Sequence, residues 1–273
     1  DMMKTGAEII VEVLVEEGVD VVFGYPGGTV INIYDALLQN KDRIRHILTA
    51  HEQGASHAAD GYARATGKTG VVIATSGPGA TNIVTGIATA YMDSIPMVAI
   101  TGNVTTDAMG RDSFQEVYIA GVTLPITKHN FLVKNIEDLA DTLREAFRIA
   151  QSGRPGPVLV DIPKDLTIAS YEFEHKEIVR PQHHVPVKED DIKHLAELIN
   201  KSVRPVIYFG GGVISSRASQ ELSELINTCS IPACHTLMAT GVLSYGDRLN
   251  LGMVGMHGHV SSSKAINEAD LLI

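Results

Sequence analysis

An acid heads a helix that has almost no core-forming side chains. In HEQGASHAADGYARATG (51–67), Glu52 is followed by Gly54, Ala55, Ser56, Ala58, Ala59, Gly61, Ala63 and Ala65. A carboxylate in the first turn is favoured by the helix dipole, which by itself accounts for an acid here. Small residues behind it also let a flat ligand or a second helix come close to the backbone. Three glycine-rich turns accompany it: GYPGGT (24–29), TSGPGATN (75–82) and TGNVTTDAMGRDSFQE (101–116). In SGPGATN, Pro78 between glycines fixes a loop, and Thr81 and Asn82 fall in the helical turn after it. A plain turn and a ligand-contacting loop fit that stretch equally well. YFGGGV (208–213) could offer backbone amides to a phosphate, but it is not G-x-G-x-x-G, and no acid about 20 residues on ends a second strand. A tight turn is the simpler reading. No G-x-S-x-G elbow, Walker A pattern or H-E-x-x-H occurs, and Met253 and Met256 read as core filler.

The elements that must position these groups follow from hydrophobic patterning. Thr5 and Glu8 form a capping box for a first helix that Gly18 ends. Short apolar runs then recur: VDVVFG (19–24), IRHILT (44–49), GVVIAT (70–75), PMVAIT (96–101) and, after a helix over 137–151, PGPVLVDIP (155–163). Continuous apolar strands separated by helices predict a doubly wound parallel α/β sheet covered on both faces. The glycine-rich turns then leave the carboxyl ends of its strands, where ligands bind such sheets. The charged, Pro- and His-containing stretch over 169–190 reads as a linker, with His175, His183 and His184 solvated rather than metal-bound. A second α/β pattern follows over 191–273: a helix (191–201), PVIYFGGG (205–212), a helix (217–228), IPACHT (231–236), NLGMVGMHG (250–258) and ADLLI (269–273). The last run reads as a buried strand that wants neighbours, so the chain looks cut there, and Asp1-Met2-Met3 reads as an appended leader.

The chain has 273 residues, 44% of them hydrophobic and 20% charged, the balance of a globular domain with ample core. A net charge of −10, with no basic stripe, argues against nucleic acid or an anionic membrane as partner. Cys229 and Cys234 make no disulfide framework or zinc site and suit a reducing cytoplasm.

Taken together, YPGG (25–28), HEQGASHAADGYARATG, SGPGATN, DSIPMVAITG (93–102), FQE (114–116), TKHN (127–130) and RPGPVLVDIPKD (154–165) resemble the thiamine-diphosphate-dependent decarboxylases and carboligases. Within that superfamily, residues 4–273 resemble the catalytic subunits of the acetolactate synthase family. The resemblance implies a pyrimidine-binding domain over 1–168 and part of a Rossmann-like central domain over 191–273. It implies that Glu52 hydrogen-bonds the cofactor's aminopyrimidine and shares a proton with its ring nitrogen. Gly28, Pro78 and Asn82 would wall that ring. Gln115 would lie near the reacting carbon and Phe114 along the substrate channel. Lys128, as a catalytic cation, and Lys164, in the channel, would attract a 2-oxo acid carboxylate. Arg154, Gly211, Gly212, Thr236, Leu237, Met238, Met256, His257 and Gly258 match positions that hold a structural FAD.

The implied reaction decarboxylates pyruvate and joins the two-carbon unit to pyruvate or 2-oxobutyrate, opening branched-chain amino-acid synthesis. The implied assembly is a homo-oligomer, with a regulatory small subunit as a further partner. The superfamily holds magnesium and the diphosphate on a G-D-G motif with a later Asn. GDR (246–248) is not that motif, so no metal ligand is assigned in this chain and the fragment is expected to be inactive alone. VTTDAMGRD also replaces the Pro-Arg-Arg of plant relatives. Pyruvate oxidase is the neighbouring alternative within the superfamily, and a non-catalytic dimerisation module the alternative outside it. Glyoxylate carboligase fits less well because it lacks the glutamate present here as Glu52.

Overall fold

A computed structural model describes residues 2–178 and 186–273, which form two compact α/β units. In the first unit, strands β1 (Met2–Thr5), β2 (Val21–Gly24), β3 (Arg45–Leu48), β4 (Gly70–Ala74), β5 (Met97–Asn103), β6 (His129–Leu132), β7 (Pro157–Pro163) and β8 (Ser170–Phe173) are present. Its helices are α1 (Gly6–Glu16), α2 (Ile31–Gln39), α3 (Glu52–Thr66), α4 (Pro78–Asn82), α5 (Val84–Met92), α6 (Ile119–Thr123), α7 (Leu139–Gln151) and α8 (Lys164–Ile168). Six strands make a parallel sheet in the order β3-β2-β4-β5-β7-β6.

The predicted two-sided burial is what the sheet shows. Val71, Ile73, Val98, Ile100, Val158 and Val160 share one core with α1, α2 and α7. The intervening Val72, Ala99 and Leu159 are also fully buried, on the face that carries α3 and α5. The capping box forms, with Glu8 N donating to Thr5 Oγ1 at 3.3 Å and Thr5 N to Glu8 Oε2 at 2.7 Å. Helix α3 shows what its small residues are for. A Cβ on Gly70 would lie 2.2 Å from the Ala59 carbonyl oxygen, and one on Gly86 would lie 2.1 Å from Ser56 Oγ. The helix therefore seats on β4 and α5 at a separation that larger residues forbid. On its outer face, Gly54 and Gly61 meet nothing within 4 Å.

Strand order reverses between β2 and β4, since β3 lies on one side of β2 and every later strand on the other. Crossovers leave in opposite directions there, and the carboxyl ends of the two strands bound a crevice.

The reading of 169–190 as linker needs correction at its start. Ser170–Phe173 form β8, antiparallel to β1, so Met2 and Met3 belong to a strand rather than to a loose leader. Arg144 then grips the buried Glu16 through two hydrogen bonds of 2.9 and 3.0 Å and donates to the Glu174 carbonyl. His175 Nδ1 lies 3.1 Å from Glu16 Oε1, so it is engaged rather than simply solvated. His183 and His184 lie outside the described residues. Edge strand β6 was missed as well, because four residues without alternation carry almost no periodic signal.

The second unit contains β9 (Pro205–Phe209), β10 (Ala233–His235), β11 (Asn250–Met253) and β12 (Leu271–Leu272), with α9 (Glu189–Lys201), α10 (Gly212–Ser215), α11 (Ser219–Cys229) and α12 (Val260–Glu268). Its parallel sheet has the order β11-β10-β9-β12, so the direction again reverses beside its first strand. β9 stops at Phe209, which leaves Gly210 and Gly211 as the turn before α10 begins at Gly212. The core gathers Ile207, Phe209, Ile226, Ile231, Ala233, Ala239 and Leu243. Helix α9 buries none of its residues and leaves Ile192, Leu195 and Leu198 exposed. Cys229 is exposed and Cys234 buried, both free thiols. Among the described residues, no helix is long and apolar enough to cross a membrane.

Candidate functional site

The crevice between β2 and β4 is closed by hydroxyls. Thr29, after β2, and Thr75, after β4, lie with their Oγ1 atoms 2.9 Å apart, and Thr29 Oγ1 also accepts from Ser76 N at 3.0 Å. A Cβ on Gly27 would lie 2.5 Å from Thr75 Cβ, so glycine there is a condition of the contact. A Cβ on Gly28 would meet nothing within 4 Å, so that residue opens onto free space.

Glu52 enters this crevice from the head of α3, where the His51 ring caps the helix by accepting from Gln53 N at 3.1 Å. Its side chain is 8% exposed. Asn82 Nδ2 donates to Glu52 Oε2 at 2.9 Å, across 30 residues of sequence. Oε1 has no hydrogen-bond partner among the described residues and faces Gly79, whose Cβ would lie 3.3 Å away. The buried Tyr34 hydroxyl, also without a partner, has its pKa pushed up by burial and then by the Glu52 charge. The buried Ser76 Oγ is unpartnered too. Buried polar groups without partners are uncommon in folded chains. Among the described residues His46 Nε2 and Asp60 Oδ1 are buried and unpartnered as well, so what marks this crevice is Glu52 Oε1, left without a partner beside Gly79. That arrangement fits a flat ring carrying both a donor and an acceptor, and therefore fits the aminopyrimidine of thiamine diphosphate.

The wall on the β5 side is the long loop after Asn103. Gly77 has φ +61° and Gln115 φ +58°, and a Cβ on Gly77 would lie 2.6 Å from the Gln115 carbonyl oxygen. The backbone of Gln115 is thus pressed against the turn that carries Pro78, the first residue of α4. Phe114 beside it is 88% exposed. The loop's near end is anchored to β7. Asp161 accepts from Thr101 Oγ1 at 2.7 Å and from Asn103 Nδ2 at 2.6 Å, while Asn103 Oδ1 accepts from Val104 N at 2.7 Å. Burial raises Asp161 to about 7, against the opposing pull of the Thr101 and Asn103 bonds. Asp165 accepts from Thr106 N at 3.0 Å and from its hydroxyl at 2.5 Å.

Glu52, Gly28, Pro78, Asn82 and Gln115 are thereby brought to one end of the sheet. Lys164, the first residue of α8, leaves the carboxyl end of β7, at that same end. Lys128 does not join them. Its N–H bonds Pro157 at the start of β7, so it sits at the amino end of the strands. Its ammonium donates to the Ile149 carbonyl, and to the Ser152 carbonyl at 2.6 Å, capping α7; burial, then the Arg148 charge, lowers its pKa. Arg154 also precedes β7, with Nε donating to Ser94 Oγ at 2.6 Å. Thr29, Thr75, Asn103, Asp161 and Asp165 escaped the sequence reading. Asp161 left one signal, a lone acid within the apolar run PVLVDIP.

In the second unit, Gly211 and Gly212 follow β9, Thr236, Leu237 and Met238 follow β10, and Met256, His257 and Gly258 follow β11. All three groups lie at the carboxyl ends of neighbouring strands. A Cβ on Gly211 would lie 3.1 Å from Met238 Cβ, so two of the groups touch. Leu237 is 69% and Met256 94% exposed, which makes neither a core filler. Apolar side chains standing open around glycine turns fit a large flat group such as a flavin. Among the described residues, no cluster of three or more His, Cys, Asp or Glu could hold a metal ion.

Residues 4–122 match the family described as thiamine pyrophosphate enzyme, N-terminal TPP binding domain, and residues 192–273 match the thiamine pyrophosphate enzyme central domain. The acetolactate synthase isozyme 1 large subunit of Escherichia coli K12 is 50% identical over 270 residues, covering 98% of this chain and 48% of that protein. An acetolactate synthase large subunit of Corynebacterium glutamicum is 50% identical over 272 residues, covering 98% and 43%. A probable acetolactate synthase large subunit of Methanocaldococcus jannaschii is 49% identical over 281 residues, covering 98% and 46%. The chain therefore spans a little under half the length of the curated relatives it matches. It belongs to the thiamine pyrophosphate enzyme family and, within that family, is similar along its length to the large subunits of acetolactate synthases.

Proposed function

We propose that this chain forms the pyrimidine-holding and flavin-holding part of an acetolactate synthase, which decarboxylates pyruvate and joins the two-carbon unit to pyruvate or 2-oxobutyrate. The observation that carries the reading is the buried carboxylate of Glu52, one oxygen held by Asn82 and the other free beside Gly79. When bound, thiamine diphosphate supplies an electron sink for the carbon that loses carbon dioxide. Glu52 Oε1 would hydrogen-bond the cofactor's ring nitrogen and share a proton with it, while Asn82 holds the other oxygen. Gly28 and the Gly77–Pro78 turn leave room for the ring. Gln115 would lie near the reacting carbon and Phe114 along the substrate channel. Lys164 offers a cation to the 2-oxo acid carboxylate. No residue of this chain is assigned to magnesium or the diphosphate.

FAD is assigned, as a structural group, to Gly211, Gly212, Thr236, Leu237, Met238, Met256, His257 and Gly258 of the second unit. The open small-residue face of α3 at Gly54 and Gly61 supports assembly as a homo-oligomer, in the manner of a helix packed closely on its copy. Cytoplasmic residence and a regulatory small subunit complete the reading. The relatives' designation as large subunits supports the second of these. The test is direct. The full-length protein, supplied with thiamine diphosphate, magnesium and pyruvate, is expected to release carbon dioxide and form acetolactate. Glu52→Gln is expected to lower that rate by at least about 10²-fold while preserving the circular dichroism spectrum. Absence of acetolactate, or a variant near wild-type rate, overturns the assignment.

A further inference from the structure

We propose that Glu116 is a positioning residue whose carboxylate holds Gln115 against the Gly77 turn at the mouth of the Glu52 crevice. The inference rests on the role given above to Gln115. The loop over 104–118 runs between β5 and α6 and belongs to no strand or helix. Within six positions its backbone turns left-handed three times, at Gly110 (φ +74°), Asp112 (φ +53°) and Gln115 (φ +58°). Two of those residues carry a Cβ that disfavours the conformation. Two ties compensate: Ser113 Oγ donates to the Ala108 carbonyl at 2.6 Å, and a carboxylate closes the tip. Glu116 folds back so that Oε1 accepts from Gly110 N and Oε2 accepts from Ser113 N at 2.9 Å. The backbone closes the same turn, with Glu116 N donating to Ser113 O at 3.0 Å. One carboxylate thus ties down both sides of the tip immediately before Phe114 and Gln115.

Charge matters to this grip as well as shape. Hydrogen bonds from backbone N–H groups to an ionised carboxylate are stronger than neutral ones, and those of Gly110 and Ser113 hold the Glu116 carboxyl below its usual range. An amide in its place has one acceptor oxygen and presents an NH₂ to the second N–H, so it satisfies one side only. The anchors formed by Asp161 and Asp165 act at the other end of the loop, at Asn103 and Thr106. They cannot substitute at the tip.

Two measurements test the proposal. In this chain, residue-resolved amide exchange on Glu116→Gln should show Gly110 and Ser113 exchanging roughly 10-fold faster or more, with β4 and β5 unchanged. In the full-length protein, Glu116→Gln and Gln115→Ala should each lower kcat more than they change KM for pyruvate. The double variant should be no slower than Gln115→Ala alone, because both act through one side chain. Unchanged exchange at Gly110 and Ser113 overturns the proposal, and so do kcat losses that multiply in the double variant. A fully active Gln115→Ala would overturn the role given to Gln115 instead. The exchange result does not depend on that role, so the two failures are distinguishable.

Discussion

Asn82 Nδ2 donates to Glu52 Oε2 at 2.9 Å, joining the first turn of one helix to the end of another across the crevice between β2 and β4. The bond fixes which carboxylate oxygen stays available and, with the N-terminus of α3, supports a buried Glu52 that has no ion-pair partner among the described residues. Asn82→Ala should therefore lower thiamine diphosphate affinity and turnover in the full-length protein, by about 10-fold for a bond to a charged group. Asn82→Asp should be worse at high pH than at low pH. Two carboxylates at this spacing repel when both ionise at high pH and share a proton in acid. A turnover profile from about pH 6 to about pH 8 checks this; parallel profiles for the Ala and Asp variants would refute it.

Gly77 and Gln115 make a second contact that tolerates no side chain. Gly77→Ala combines a strained φ of +61° with a Cβ placed 2.6 Å from the Gln115 carbonyl oxygen. It should destabilise the first unit by roughly 1–3 kcal/mol and shift the loop over 104–118 away from Pro78. Urea unfolding followed by circular dichroism measures the first effect, and faster amide exchange across that loop the second. Gly28→Ala, whose Cβ meets nothing within 4 Å, should leave stability almost unchanged and weaken cofactor binding.

Asp161 gives the first unit a pH dependence. Burial raises its carboxyl from 3.8 to about 7. Below the lower value, both folded and unfolded chains are protonated there and nothing is lost. As pH rises from that value through about 7, the unfolded chain ionises first and the folded chain is progressively penalised. Wild type should therefore lose stability relative to Asp161→Asn by roughly 2–3 kcal/mol between about pH 5 and about pH 8. Urea titrations of both proteins across that range test the sign. A difference that is flat with pH would show that Asp161 keeps an ordinary pKa.

The second unit should open more readily than the first. Its core contains Ile207, Phe209, Ile226, Ile231, Ala233, Ala239 and Leu243, and α9 contributes no buried residue to it. Amide hydrogens over 191–273 should exchange much faster than those over 5–165, because local opening is governed by the apolar surface that it exposes. Equal protection in hydrogen-exchange mass spectrometry would overturn this.

Much of the first unit was legible in the amino-acid order. Continuous apolar runs such as PMVAIT and PGPVLVDIP can be buried on both faces only in a parallel sheet, and Thr5 with Glu8 announces its helix by local hydrogen bonding. Such signals are complete within a few residues, as is the acid at the head of a small-residue helix. β1 and β8 were not legible, because each is short and satisfied only by the other, 165 or more residues away. Nor was the position of Lys128. TKHN resembles a catalytic stretch, but the parallel register of β6 on β7 carries that lysine to the amino end of the sheet, where α7's carbonyls take its ammonium. The partners of Glu52, the contact of Gly77 with Gln115 and the grip of Glu116 on its own loop depend on which strand lies beside which and how the intervening chain turns. Residue types set what Glu52 can do. Strand order, decided by burying every apolar face at once, determines which groups meet it.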